Sequence, residues 1–213
     1  MMVSNNKKPH WFFYLGWVVL NVIAVTIAWH IAWALISQIT KIVGGTIQVG
    51  GQSRITEDSL FLYVLFPIIG LLTGVFQYIL LRQYLPHMAW WIAATFLGWL
   101  MPFATGFLLI TFLELRNDTF SIMFGMLLIG ATVAVPQWWM LRQRVRYASW
   151  WILAHGFGWC ITGLLNLVTS RLDKLFPVLL AFALMPAIAT GFACWLLLDW
   201  LPKHELKSSA PSY

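Results

Sequence analysis

Apolar residues run through this chain in six long blocks, parted by short stretches where charged residues, proline and glycine collect. The blocks cover about 11–36, 59–84, 89–113, 119–142, 149–170 and 175–201. Each is close to the roughly 20 residues that a helix rising about 1.5 Å per residue needs to cross hydrocarbon. None shows the alternation of a membrane β-strand, and lipid offers the backbone no hydrogen-bond partner, so the pattern predicts six transmembrane helices. Pro67, Pro102, Pro136, Pro177 and Pro186 fall within these blocks and predict kinks there. The first block is too long for a signal-peptide core and lacks a cleavage site, so it is expected to remain as a span. The longest connection, 37–58, contains KIVGGTIQVGG, an alternation around Gly-Gly that predicts a short β-hairpin.

A second pattern lies over the first. Shifted by 60 residues, segment 70–99 meets 130–159 without a gap, and 12 of the 30 positions are identical. Gly70, Val75, Gln77, Leu81, Arg82, Gln83, Trp90, Trp91, Ile92, Ala94, Gly98 and Trp99 carry the match. The last block keeps Gly191 and Leu198 but has Cys194 in place of the glutamine and Asp199 in place of the arginine. The first block keeps only Gly16-Trp17, set against Gly98-Trp99. All copies enter from one side, which makes the repeats parallel, about an axis along the membrane normal. The expected fold is all-α, one transmembrane domain over 1–213. It is a six-helix bundle of helical hairpins in a pseudo-threefold ring, with blocks 6 and 1 as the degenerate third unit.

Composition removes the soluble alternatives. Of 213 residues, 61% are hydrophobic and 9% charged, against roughly 25% charged in soluble domains. The net charge of +6 could suggest nucleic acid, but the basic residues sit at block ends, so no nucleic acid partner is expected. Lys7, Lys8, Arg82, Arg142, Arg144, Arg146, Lys203 and Lys207 share one side. The other side has Lys41, Arg54, Arg116, Arg171 and Lys174 among acidic neighbours. The bias places both termini in the cytoplasm. Trp11, Tyr84, Trp90, Trp91, Tyr147, Trp150, Trp151 and Trp200, at block ends, are expected at the headgroup level as an aromatic belt on that cytoplasmic side.

Gly70, Gly74, Gln77 and Leu81 fall on one helix face, as do Gly130, Ala134, Gln137 and Leu141. Small residues with a glutamine beside them are the ordinary means of close helix packing in lipid. The sharper alternative turns Gln77 and Gln137 toward a ligand or pore. His155, with Thr95 at the matching place, is an intramembrane candidate for a cofactor or proton. Asn21 and Asn166 are the other intramembrane polar groups, and Trp99 and Trp159 are candidates for stacking on a ligand. Arg82, Arg142, Arg144 and Arg146 suit topology and lipid phosphate. No Asp or Glu lies in the middle of a block, Glu114 and Asp199 being terminal, and no catalytic or metal-binding motif occurs, so no catalytic residue, metal or cofactor is assigned. Cys160 and Cys194 form no disulfide pattern.

The run Gly-x3-Gly-x2-Gln-x3-Leu-Arg, then Trp-Trp and Gly-Trp, resembles a loose group of uncharacterised multi-pass bacterial membrane proteins. The resemblance rests on 70–99 and 130–159, and implies an inner-membrane location without an activity. Three functions follow as expectations. The first is a non-enzymatic scaffold or accessory subunit that packs against other membrane proteins or binds lipid. The second is a small permease or channel component lined by Gln77, Gln137, Asn21, Asn166 and His155. The third is a lipid-modifying enzyme using His155.

Overall fold

The computed structural model describes residues 9–49, 52–85, 88–112, 119–145, 147–169 and 175–199. Six helices account for nearly all of them: α1 Trp11–Val43, α2 Thr56–Leu81, α3 Trp90–Phe112, α4 Thr119–Leu141, α5 Trp150–Thr169 and α6 Leu175–Asp199. Each helix packs on its neighbours in the chain, and α1 also packs on α6. Four stretches are long and apolar enough to cross a membrane: Trp11–Val43, Leu60–Leu81, Ile122–Leu141 and Phe182–Asp199. Shorter apolar stretches, Trp90–Phe103 and Trp150–Leu165, come from α3 and α5 among the described residues.

The burial pattern of α1 has the polarity of a helix in lipid. Leu15, Val19, Ile23, Ile27 and Ile31 repeat at spacing four and are exposed. The opposite face, Trp17, Asn21, Ala24, Ala28 and Ala32, is buried. Isoleucine and leucine outside with asparagine inside reverses the order of a water-soluble helix, whose apolar stripe faces the core.

Helix α1 runs two turns past the predicted end of the first span. It stops at Gly44, whose φ of 99° lies where side chains are strained, with the Gly44 N–H donating to the Thr40 carbonyl. Two short antiparallel strands follow, β1 Thr46–Val49 and β2 Gln52–Ile55, with Val49 opposite Gln52. Residues 50–51, between the paired strands, lie outside the described residues, and Gly44-Gly45 stands at the base of the hairpin. There Thr56 donates from its backbone N–H to Gly45 and from Oγ1 to Gly44.

The turns after α2 and α4 share one backbone pattern. Arg82 and Arg142 donate to the carbonyls of Tyr78 and Trp138, while Leu85 and Val145 donate to Leu81 and Leu141. Trp91 and Trp151 then donate to Met88 and Ala148. Leu81, Leu85, Met88 and Trp91 join Leu141, Val145, Ala148 and Trp151 in one apolar cluster, which also takes in Phe13, Trp17, Cys194 and Leu198. A second cluster, at greater depth along α3 and α5, gathers Val25, Ile69, Trp99, Val133, Trp159 and Ala183. Polar side chains occupy the layer between the two.

Glycine sets the close approaches. A Cβ on Gly70 would stand 2.9 Å from the Trp99 Cβ, and one on Gly130 2.7 Å from the Trp159 Cβ.

Candidate functional site

The polar layer begins with two tryptophans. An indole N–H can only donate, and Trp91 Nε1 reaches Gln77 Oε1 at 3.0 Å while Trp151 Nε1 reaches Gln137 Oε1 at 2.9 Å. Both bonds join residues 14 apart in sequence, across a helix-turn-helix. They fix the carbonyl oxygen of each glutamine and leave its amide free to donate inward. Gln77 Nε2 donates to Asn21 Oδ1 at 2.8 Å, and Gln137 Nε2 donates to Thr95 Oγ1 at 2.8 Å. Gln137 Nε2 also reaches Gln77 Oε1 at 3.4 Å, across the middle of the bundle. The network ends on backbone: Thr95 Oγ1 donates to the Trp91 carbonyl, and Asn21 Nδ2 to the Trp17 carbonyl.

Aromatic layers lie on either side. Trp17, Trp91 and Trp151 are fully buried; Trp151 lies edge-on to the other two, with ring centroids 5.8 Å from Trp17 and 5.7 Å from Trp91. Eight residues farther along α3 and α5, about 12 Å of helix, Trp99 and Trp159 meet at 5.5 Å, and Phe182 closes on Trp159 at 4.8 Å. Trp17 Nε1 finds Thr190 Oγ1 at 3.1 Å, one helical turn from Cys194. A thiol is a weak acceptor, so the indole of α1 uses a threonine hydroxyl where the other two use a glutamine.

Two expectations need correction here. Trp91 and Trp151 are not part of a headgroup belt: of the two pairs only Trp90 and Trp150 are exposed, as are Trp11 and Tyr147, while Trp200 lies outside the described residues. Neighbouring residues on a helix point about 100° apart, so one of each Trp pair turns inward. Trp17 also stands with Trp91 and Trp151, not with Trp99 and Trp159. The residue eight beyond it, Val25, lines the same cavity as Trp99 and Trp159.

That cavity measures about 30 Å³ and is lined by Asn21, Thr73, Gln77, Gln137, His155 and Thr190 beside apolar groups from α1, α3, α5 and α6. His155 follows Trp151 by one turn, as Thr95 follows Trp91 and Asn21 follows Trp17. Its ring packs edge-on to Trp151 at 5.0 Å, and neither ring nitrogen has a hydrogen-bond partner. Among the described residues no group of His, Cys, Asp or Glu is arranged to hold a metal ion.

The remaining candidates lie elsewhere. The Arg142 guanidinium sits 3.3 Å over the Trp139 ring and 5.1 Å from that of Trp138. Arg82 and Arg144 are exposed. Arg146 lies outside the described residues, as does the side chain of Asn166. Thr73, Thr190 and the inward face of Trp17 were not singled out in the sequence, although the match of Gly191 to Gly74 aligns Thr190 with Thr73.

On the outer face of α5 lies a much larger space, about 850 Å³. Leu153, Phe157, Met185, Ile188, Phe192 and Leu127 are among its walls, and Ala131, Ala154, Gly156 and Ala189 keep its floor low. Leu153 and Phe157 are exposed, so the groove opens outward. No family model, curated protein or solved structure matches the chain.

Proposed function

We propose that this chain is a six-span bacterial inner-membrane protein with both termini cytoplasmic. In this reading it is a non-enzymatic scaffold or accessory subunit that seats a lipid acyl chain in the groove on α5. The observation that carries it is how the two surfaces differ. In the interior Asn21, Gln77, Trp91, Thr95, Gln137 and Trp151 bond to one another, whereas a concave surface far larger than the central cavity is apolar and faces outward. The interior then holds helices together, which lipid cannot drive by hydrophobicity alone. The groove follows α5 from Trp150 to Ile161, about 17 Å of helix. That length suits the hydrocarbon of one leaflet, half of roughly 30 Å, better than a partner helix spanning both.

The matched Trp-to-Gln bonds, the matched turns and the contact of α6 with α1 support parallel repeats in a pseudo-threefold ring. Permeation is less well supported, because Gln77, Gln137 and Asn21 are bonded to each other beside a space of only about 30 Å³. The lipid-modifying reading needs His155 in a cleft beside Arg82 or Arg142. His155 lines the central cavity instead, and Arg142 stacks on Trp139.

Native mass spectrometry of the protein purified in mild detergent should find bound phospholipid. Leu153→Trp, which fills the groove from an exposed position, should lose that lipid with an unchanged melting temperature. Equal lipid retention by the variant would count against the groove, as would wild-type protein that never carries lipid. A reporter active only in the cytoplasm, fused after Tyr213, should be active; labelling of that tail by an impermeant reagent on intact cells would reverse the orientation.

A further inference from the structure

The central cavity and the unpartnered ring beside it belong to one account. His155 is 7% exposed, lies within the polar layer and borders the cavity, yet neither Nδ1 nor Nε2 meets a hydrogen-bond partner. Such a group in a layer where the neighbouring Asn21, Gln77, Thr95 and Gln137 are paired points to an occupant that supplies the missing bonds.

The walls select its chemistry. No carboxylate, lysine or arginine is among the lining residues, so a charged occupant would be buried without a counter-charge. An apolar occupant would leave the imidazole as it stands. A neutral imidazole has one donor and one acceptor nitrogen, and a molecule that both donates and accepts answers both. Size narrows the choice further: a water needs about 10–15 Å³ by this measure, against the roughly 30 Å³ present. Further partners are at hand. Gln77 Nε2 has a second amide proton beyond the one given to Asn21, and Thr73 Oγ1, which donates to the Ile69 carbonyl, keeps its acceptor capacity.

We propose that the cavity is a hydration site holding one or two water molecules, bound to the ring nitrogens of His155 and to the polar rim made by Gln77 and Thr73. The waters complete the network in the third of the three places that follow a buried tryptophan. Thr95 and Asn21 bond directly to the glutamines, while the bulkier imidazole bonds through water. Held between two aromatic layers, they form a fixed part of the core and not a stretch of conduit.

Solid-state NMR on protein labelled with 15N-histidine, in bilayers, tests this. The chain has five histidines, and His155→Gln assigns the resonance by its loss. The expected result is a neutral imidazole, one nitrogen protonated and one bare, that receives magnetisation from water. An assigned His155 ring out of contact with water, or one shifted by a bound metal, overturns the proposal. Should the variant fail to fold, a density map resolving ordered solvent serves instead. A water-sized peak within about 3.2 Å of a ring nitrogen supports the site; an empty cavity or a heavier peak refutes it.

Discussion

A buried tryptophan carries one polar atom, and in this interior that atom decides which way a glutamine faces. Trp91 and Trp151 each hold a glutamine oxygen, and each glutamine amide then reaches a second helix. Stripes of small residues mark Gln77 and Gln137 in the sequence, and Asn21 is the one amide in its apolar block. Their partners could not be read, because Trp-Trp at the start of a span is also what an interfacial belt looks like. The helix turn separates the two members of each pair. Trp91→Phe removes the indole donor and should cost about 1 kcal/mol in unfolding experiments in mixed micelles. Trp90→Phe, at a position 76% exposed, should change stability by less than about 0.5 kcal/mol. Equal effects at the two positions would mean that the bond to Gln77 does not form.

At the scale of the element, the apolar blocks located all six helices, and their ends shifted by a few residues where polar groups continue a helix past its apolar run. The first helix shows this most, since Gln38, Thr40 and Lys41 extend it to Gly44. The hairpin was legible as an alternation, but its register was not, because two Gly-Gly pairs compete as turns. The helix C-cap takes the first pair. Within the bundle, glycine marks where helices meet. Gly130→Ala adds a Cβ 2.7 Å from both the Trp159 Cβ and the His155 carbonyl. The expected strain of about 1–3 kcal/mol exceeds the roughly 1 kcal/mol that alanine gains over glycine in a helix, so the variant should melt lower. Gly45→Ala, with nothing within 4 Å of its added Cβ, should melt within a degree or two of the parent. A Gly130→Ala protein of undiminished stability would show that α4 and α5 are not in this contact.

At the scale of the molecule, sequence identity relates 70–99 to 130–159, while the third unit of the proposed ring is obscure in the sequence. Its two helices stand at opposite ends of the chain, and its glutamine has become Cys194. Matching Gly16-Trp17 to Gly98-Trp99 by letters put Trp17 two turns from its place, since a helix repeats its faces every turn and a short motif cannot fix depth. Packing against Trp151 fixes it. The same polar layer joins α1, α2, α3, α4 and α5 through side chains alone, and the central claim is that these bonds hold the bundle together. The most direct measurement is a double-mutant cycle on Gln77→Leu and Gln137→Leu, read from unfolding free energies in mixed micelles. Residues in one hydrogen-bond network are expected to couple by about 0.5 kcal/mol or more. Effects of the two substitutions that simply add, to within about 0.3 kcal/mol, would contradict a shared network.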